Sequence, residues 1–197
     1  MKKRILILGL IIVLTPILAG LYGIIHDQLT YSISHEYYTK FKFQQFGIAE
    51  EGAKCYFPDR IGAAYVGFFA TWWTGIPIGI ILGFVGLIHK DWRNMFRITI
   101  RSLLLTLIIA LITGLIGLLY GRLFLIHSDL NWCFPDHLID RDSFVMVGSM
   151  HNFSYLGGLI GLIIGIIYQI GKKRKTGGNK RYKILGFHWF ARRIARW

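Results

Sequence analysis

Four stretches of the chain are apolar without interruption by Asp, Glu, Lys or Arg: Ile5–Ile25, Ile61–Ile88, Leu103–Gly121 and Phe144–Ile170. Each is about as long as the roughly 20 residues a helix needs to cross a hydrocarbon core. In lipid the backbone must satisfy its own hydrogen bonds, which selects helices. The residue-by-residue alternation of a membrane barrel is absent. The pattern predicts an all-α membrane protein with four transmembrane helices over residues 1–171, followed by a basic tail, 172–197. Thr15-Pro16 within the first run predicts a kinked span. With no small-x-small site before His26, that run reads as a retained helix instead of a cleaved signal.

Between the runs the polar positions repeat. Cys55-Tyr56-Phe57-Pro58-Asp59 precedes the second run and Cys133-Phe134-Pro135-Asp136 the fourth. Leu21-Tyr22-Gly23 ends the first run with His26-Asp27 just beyond; Leu119-Tyr120-Gly121 ends the third, with His127-Ser128-Asp129 following. This order predicts a parallel two-plus-two repeat, unlike the inverted repeats of many transporters. Gly75, Gly79 and Gly83 in the second run, and Gly157, Gly161 and Gly165 in the fourth, fall on one helix face each and invite close packing. They predict that the second and fourth spans form the inner pair, with the Leu- and Ile-richer first and third spans outside.

The first loop, His26–Arg60, is the longer. Gln28–Ser34 alternates polar and apolar residues and suggests a short strand. Ser34 suits a helix cap, with Glu36 in the first turn of a short helix reaching about Phe46. That helix would expose Tyr37, Tyr38, Phe41, Phe43 and Phe46, either at headgroup level or packed over the bundle. The Phe-Pro-Asp after each Cys reads as a turn, with the Asp as a possible cap.

Charge then orients the chain. The N-terminus, the segment between spans two and three, and the tail hold 17 of the 23 Lys and Arg residues and a single acid, Asp91. The positive-inside rule places both termini in the cytoplasm and both Cys loops outside, most simply in a bacterial inner membrane. It also explains the net charge of +13 without nucleic-acid binding. Arg181–Trp197 can form an amphipathic helix for anionic lipid headgroups or a protein partner. Two cysteines on the oxidising side predict a Cys55–Cys133 disulfide.

The candidate chemistry is sparse. His151-Asn152 lies within the fourth run, about 10 Å below the loop if Phe144 marks its end. An ionisable residue at that depth is a functional hypothesis, against the plainer reading of a hydrogen bond between helices. His26, Asp27 and Glu36 are its candidate partners, a set of imidazole and carboxylate groups that suits a divalent metal. No His-Glu-x-x-His or similar motif accompanies them. Thr71, Trp72, Trp73 and Tyr155 are expected to line a pocket near the same level. Three readings stay open: an assembly or ligand-binding membrane subunit, with a second copy or another membrane protein as its expected partner; a metal-dependent membrane enzyme; and a small transporter or channel component.

Overall fold

The computed structural model describes residues 1–50 and 54–173; the predicted tail helix lies outside them. Four helices are long and apolar enough to cross a membrane: α1 (Lys2–Ile33), α2 (Asp59–Gly86), α3 (Trp92–Leu123) and α4 (Arg141–Lys173). No strand occurs among the described residues. Gln28–Ile33, expected to be extended, instead continues α1. The hydroxyls of Thr30 and Ser32 donate to the carbonyls of His26 and Gln28, back-bonds compatible with helix.

The helices pair as two hairpins, α1 with α2 and α3 with α4, each zipped along a seam of small residues. At the α1–α2 crossing, Gly23 and Gly67 bring backbone against backbone, and a Cβ on either would overlap the other's carbonyl. Just below, the Thr71 hydroxyl donates to Ala19 O at 2.8 Å. The glycine stripes face partners other than those expected. Gly75 and Gly79 sit on Thr15 and Gly83 on Leu8, all in α1; Gly157 and Gly161 sit on Thr113 and Thr106, and Gly165 lies near Ser102, all in α3. Each stripe therefore closes its own hairpin, instead of joining α2 to α4. The central contact between hairpins is α1 against α3. Spacing identifies a close-packing face but carries no information about which helix fills it.

α2 is not uniform. Over Trp72–Thr74 it tightens to a 3-10 turn. Pro77 offers no N–H to the carbonyl one turn earlier, that of Trp73, and the Thr74 hydroxyl donates to Thr71 O at 2.6 Å. Irregular backbone at membrane depth is tolerated where it lines a cavity, and this one does.

The two ends of the bundle differ. At the basic end, Arg4 donates to Leu87 O, and the Lys3 ammonium lies 6.0 Å from the Trp92 ring centroid. At the opposite end the first loop folds back as a lid. The Ser34 hydroxyl accepts from Tyr37 N at 3.3 Å, opening helical turns through Gln45 that include a π-helical stretch, Tyr38–Lys42. Its aromatics are largely inward: Tyr37, Tyr38 and Phe43 are buried with Phe144 and Val147 of α4, while Phe41 and Phe46 are partly buried beside them. Aromatic area gains more from this cluster than from the water boundary.

The expected Cys55–Cys133 disulfide is not formed; both thiols are free. Cys55 packs on Gly62 and the lid's aromatic cluster, whereas Cys133 is exposed in the second loop. The two Cys motifs also lead into their helices differently. Asp59 is the first residue of α2 and accepts from the Tyr31 hydroxyl at 3.2 Å. Asp136 lies in a turn, and Asp140 caps α4 instead by accepting from Ser143 N at 3.0 Å.

Candidate functional site

His26 and Asp27 lie one turn beyond the Gly23–Gly67 crossing, so the closest approach of α1 and α2 holds them rigidly. They stand roughly 33 Å along α1 from Arg4, near the far boundary of a hydrocarbon core. From α4 comes His151. All three are nearly inaccessible, with 4%, 3% and 7% of their surface exposed.

Asp27 is the hub. Its Oδ1 lies 3.0 Å from His26 Nδ1 and 3.3 Å from His151 Nε2. The other nitrogen of each ring is also engaged. His26 Nε2 meets Ser154 Oγ at 3.0 Å, and His151 Nδ1 meets Val147 O at 2.9 Å. A carbonyl only accepts, so His151 Nδ1 carries the proton and, in a neutral ring, Nε2 presents its lone pair. In that neutral form the lone pair points toward a carboxylate oxygen, with no donor between them. His151 Nε2 and Asp27 Oδ2 both lack a hydrogen-bond partner although fully enclosed.

The lid seals this cluster. The Tyr37 ring stacks on His151 at 5.0 Å between centroids, and the Tyr38 hydroxyl bonds Thr30 Oγ1 at 2.5 Å, one turn from His26. Burial, with the charge of Asp27 second, pushes the Tyr37 hydroxyl's pKa upward, so the lid meets the cluster with a neutral ring.

Below the cluster, between the hairpins, lies a cavity of about 330 Å³. His26, Asp27, His151, Ser154 and Tyr22 form its polar end. Its body is apolar, bounded by Ala19, Ile78, Leu103, Leu107, Ala110 and Leu162. Trp73, Pro77, Tyr155 and Leu159 line it too, yet are exposed on the bundle surface, so the cavity reaches the lipid-facing side between α2 and α4.

The candidate residues separate accordingly. His26, Asp27 and His151 converge, and Thr71, Trp73 and Tyr155 line the cavity. Glu36 does not join them. Its carboxylate accepts from Ile139 N at 3.0 Å and Asp140 N at 2.7 Å and pairs with Lys40 at 2.5 Å, clasping the lid to the second loop. Asn152, one residue from His151, is turned about 100° around the helix and is exposed. Trp72 is also exposed and is absent from the lining. Ser154 enters the site although no motif marked it. Its position three residues after His151 puts both on one helix face, a signal available in the sequence. Compared with known protein families, curated proteins and solved structures, the chain shows no significant match.

Proposed function

We propose that this protein is a membrane subunit that binds an amphipathic, lipid-soluble molecule in the cavity between its hairpins. The observation that carries the reading is the cavity's polarity: an apolar body reaching the bilayer side, ending in a buried His–Asp–His–Ser cluster beneath a lid. Its volume falls at the lower end of the range for small-molecule sites, which combine apolar walls with a few convergent polar groups. A polar head would sit at the cluster and an apolar tail would leave between Trp73 and Tyr155 toward lipid. A continuous polar path for a transporter has less support, since the body of the cavity is apolar.

The same reading places the lid and both Cys loops outside the cytoplasm and both termini inside, by the distribution of Lys and Arg. A bacterial inner membrane suits it. The glycine–threonine seam common to both hairpins supports a duplicated helix pair. The exposed Cys133 tests the orientation: a membrane-impermeant maleimide should label it from outside intact cells, and protection until lysis would reverse the topology.

Gly158 supplies the test of binding. It lines the cavity, and a Cβ there would meet nothing within 4 Å. Gly158→Trp should therefore fill the cavity with little strain on the backbone. Mass spectrometry of molecules extracted from purified protein should show a bound amphipathic species in the wild type and at least about tenfold less in Gly158→Trp. Equal amounts in both, or none in the wild type, would overturn the reading and favour a purely structural subunit.

A further inference from the structure

We infer that His26, Asp27 and His151 form a binding site for one divalent transition-metal ion of the zinc class, with a free coordination position directed into the cavity.

The donor set comes first. Two imidazoles and one carboxylate suit zinc, iron or manganese, whereas calcium and magnesium favour all-oxygen shells. Three protein ligands with one open position is the arrangement of reactive zinc sites, as distinct from closed structural ones.

Geometry follows. The three donor atoms lie within 4.8 Å of one another. Ligands 2.0–2.1 Å from a tetrahedral zinc stand about 3.4 Å apart. The separations of 3.0 and 3.3 Å from Asp27 Oδ1 to the two imidazole nitrogens are already at that spacing. Only a small closure of the two rings is required.

The outer partners fit as well. A metal-bound histidine normally donates its remaining N–H to a fixed acceptor. His151 Nδ1 already faces Val147 O, leaving Nε2 free for the ion. For His26, binding through Nδ1 displaces its proton and leaves Nε2–H to donate to Ser154 Oγ, 3.0 Å away. Both imidazoles are thus pre-oriented by the bonds that metal ligation requires.

Charge supplies the remaining argument. Among the described residues no Lys or Arg forms an ion pair with Asp27. A nearly fully buried carboxylate facing a lone pair is costly. A divalent cation between Asp27 and His151 replaces that repulsion with two attractive contacts and engages the orphaned His151 Nε2. Tyr22 and Ser154 border the open side, where an anionic oxygen headgroup would complete the coordination shell. That last step rests on the cavity reading; the metal site itself does not.

The test uses the full chain purified in detergent, stripped with a chelator and titrated with Zn²⁺ or Co²⁺. Elemental analysis should give about one ion per chain, and Co²⁺ should show the visible absorption of a nitrogen- and oxygen-ligated tetrahedral centre. His151→Ala and Asp27→Asn should weaken binding more than about 100-fold, and Ser154→Ala by about 10-fold, as loss of an outer partner does. Asp27→Asn keeps an acceptor for His26 and serves where His151→Ala fails to fold. Glu36→Gln and Asn152→Ala should bind like the wild type. No stoichiometric uptake by the wild type, or full uptake by folded Asp27→Asn, would overturn the site. A proton shared between Asp27 and His151 is the rival, and it predicts no uptake. Stoichiometric metal uptake by a wild type that carries no bound amphipath leaves the metal site standing and the lipid reading refuted. An amphipath retained by metal-free protein, with no uptake on titration, does the reverse.

Discussion

Two buried polar clusters join the hairpins, one toward each end of the bundle, and they are built to different standards. Toward the basic end, Gln169 is fully buried; its amide donates to Leu82 O at 3.1 Å and accepts from the Thr99 hydroxyl at 3.2 Å. Both ends of that amide are matched, as expected of a group that only holds helices together. Beneath the lid, His26, Asp27 and His151 are equally buried, yet two of their polar atoms have no partner. Burying unmatched groups costs roughly 1–3 kcal/mol each. Adhesion alone would favour the cheaper design seen at Gln169. The contrast teaches that a polar residue in a membrane helix is better judged by what is left unpaired than by its depth.

The largest expected effect comes from breaking the support of the unmatched cluster. Gly67→Leu would drive a side chain into the Gly23 carbonyl and should cost about 3 kcal/mol, at the upper end of ordinary overpacking. Denaturant titration of the detergent-solubilised protein measures it, and wild-type stability would show that the crossing is looser than described. Next is the matched cluster. Gln169→Leu removes the acceptor of the Thr99 hydroxyl and the side-chain donor to the Leu82 carbonyl and should lose about 1–3 kcal/mol in the same titration. The sharpest contrast is Asp27→Asn. The amide still accepts from His26 and can donate to His151, so metal-free stability should stay within about 1 kcal/mol of wild type or rise. A loss as large as that of Gln169→Leu would erase the distinction between the clusters.

A smaller effect concerns the lid clasp. Burial alone would raise the Glu36 pKa, but hydrogen bonds from Lys40 and from the Asp140 and Ile139 amides outweigh it and hold the value below the ordinary 4.5. The folded pKa is depressed, so the clasp's contribution is complete above 4.5 and is lost as pH falls through the lower folded value. Amide exchange at Ile139 and Asp140, corrected for intrinsic rates, should lose protection over that acid window in the wild type. In Glu36→Gln it should be weak at every pH. The smallest effect is Asn152→Ala: an exposed residue beside the cluster should change stability by no more than about 0.5 kcal/mol and leave metal uptake unaltered.

Much of the candidate site was legible before any fold was known, and the parts that were not share one cause. His151 stood out because an ionisable group interrupts an apolar run, and His26-Asp27 because they end one. Glu36 looked equivalent in chemistry, but its place depends on how a loop folds over the bundle, which local pattern does not encode. Asn152 followed His151 in sequence but points elsewhere, because adjacent helical residues diverge by about 100°. The Gln28–Ser34 alternation suggested a strand, but the end of a long helix needs no new nucleation and it won. The glycine stripes do not by themselves choose between a contact of α2 with α4 and one within each hairpin, because a stripe specifies a shape and several helices offer one that fits.

By itself, then, the sequence determined that the chain carries four helices apolar enough to span a membrane, with the bounds of α2 and α4 to within three residues, and that His26, Asp27 and His151 are candidate site residues. It left α1 eight residues short at its end and α3 eleven residues late at its start. The properties it did determine follow from transfer free energy and backbone hydrogen bonding, which act along the chain. Only the tertiary structure decided which glycines meet which threonines, that Cys55 packs beneath the lid while Cys133 stays exposed, and that His26, Asp27, His151 and Ser154 share one end of a cavity. Most of those properties depend on contacts between residues distant in the chain, such as His26 and Ser154, 128 positions apart, where packing of whole helices selects among partners that local pattern leaves equivalent.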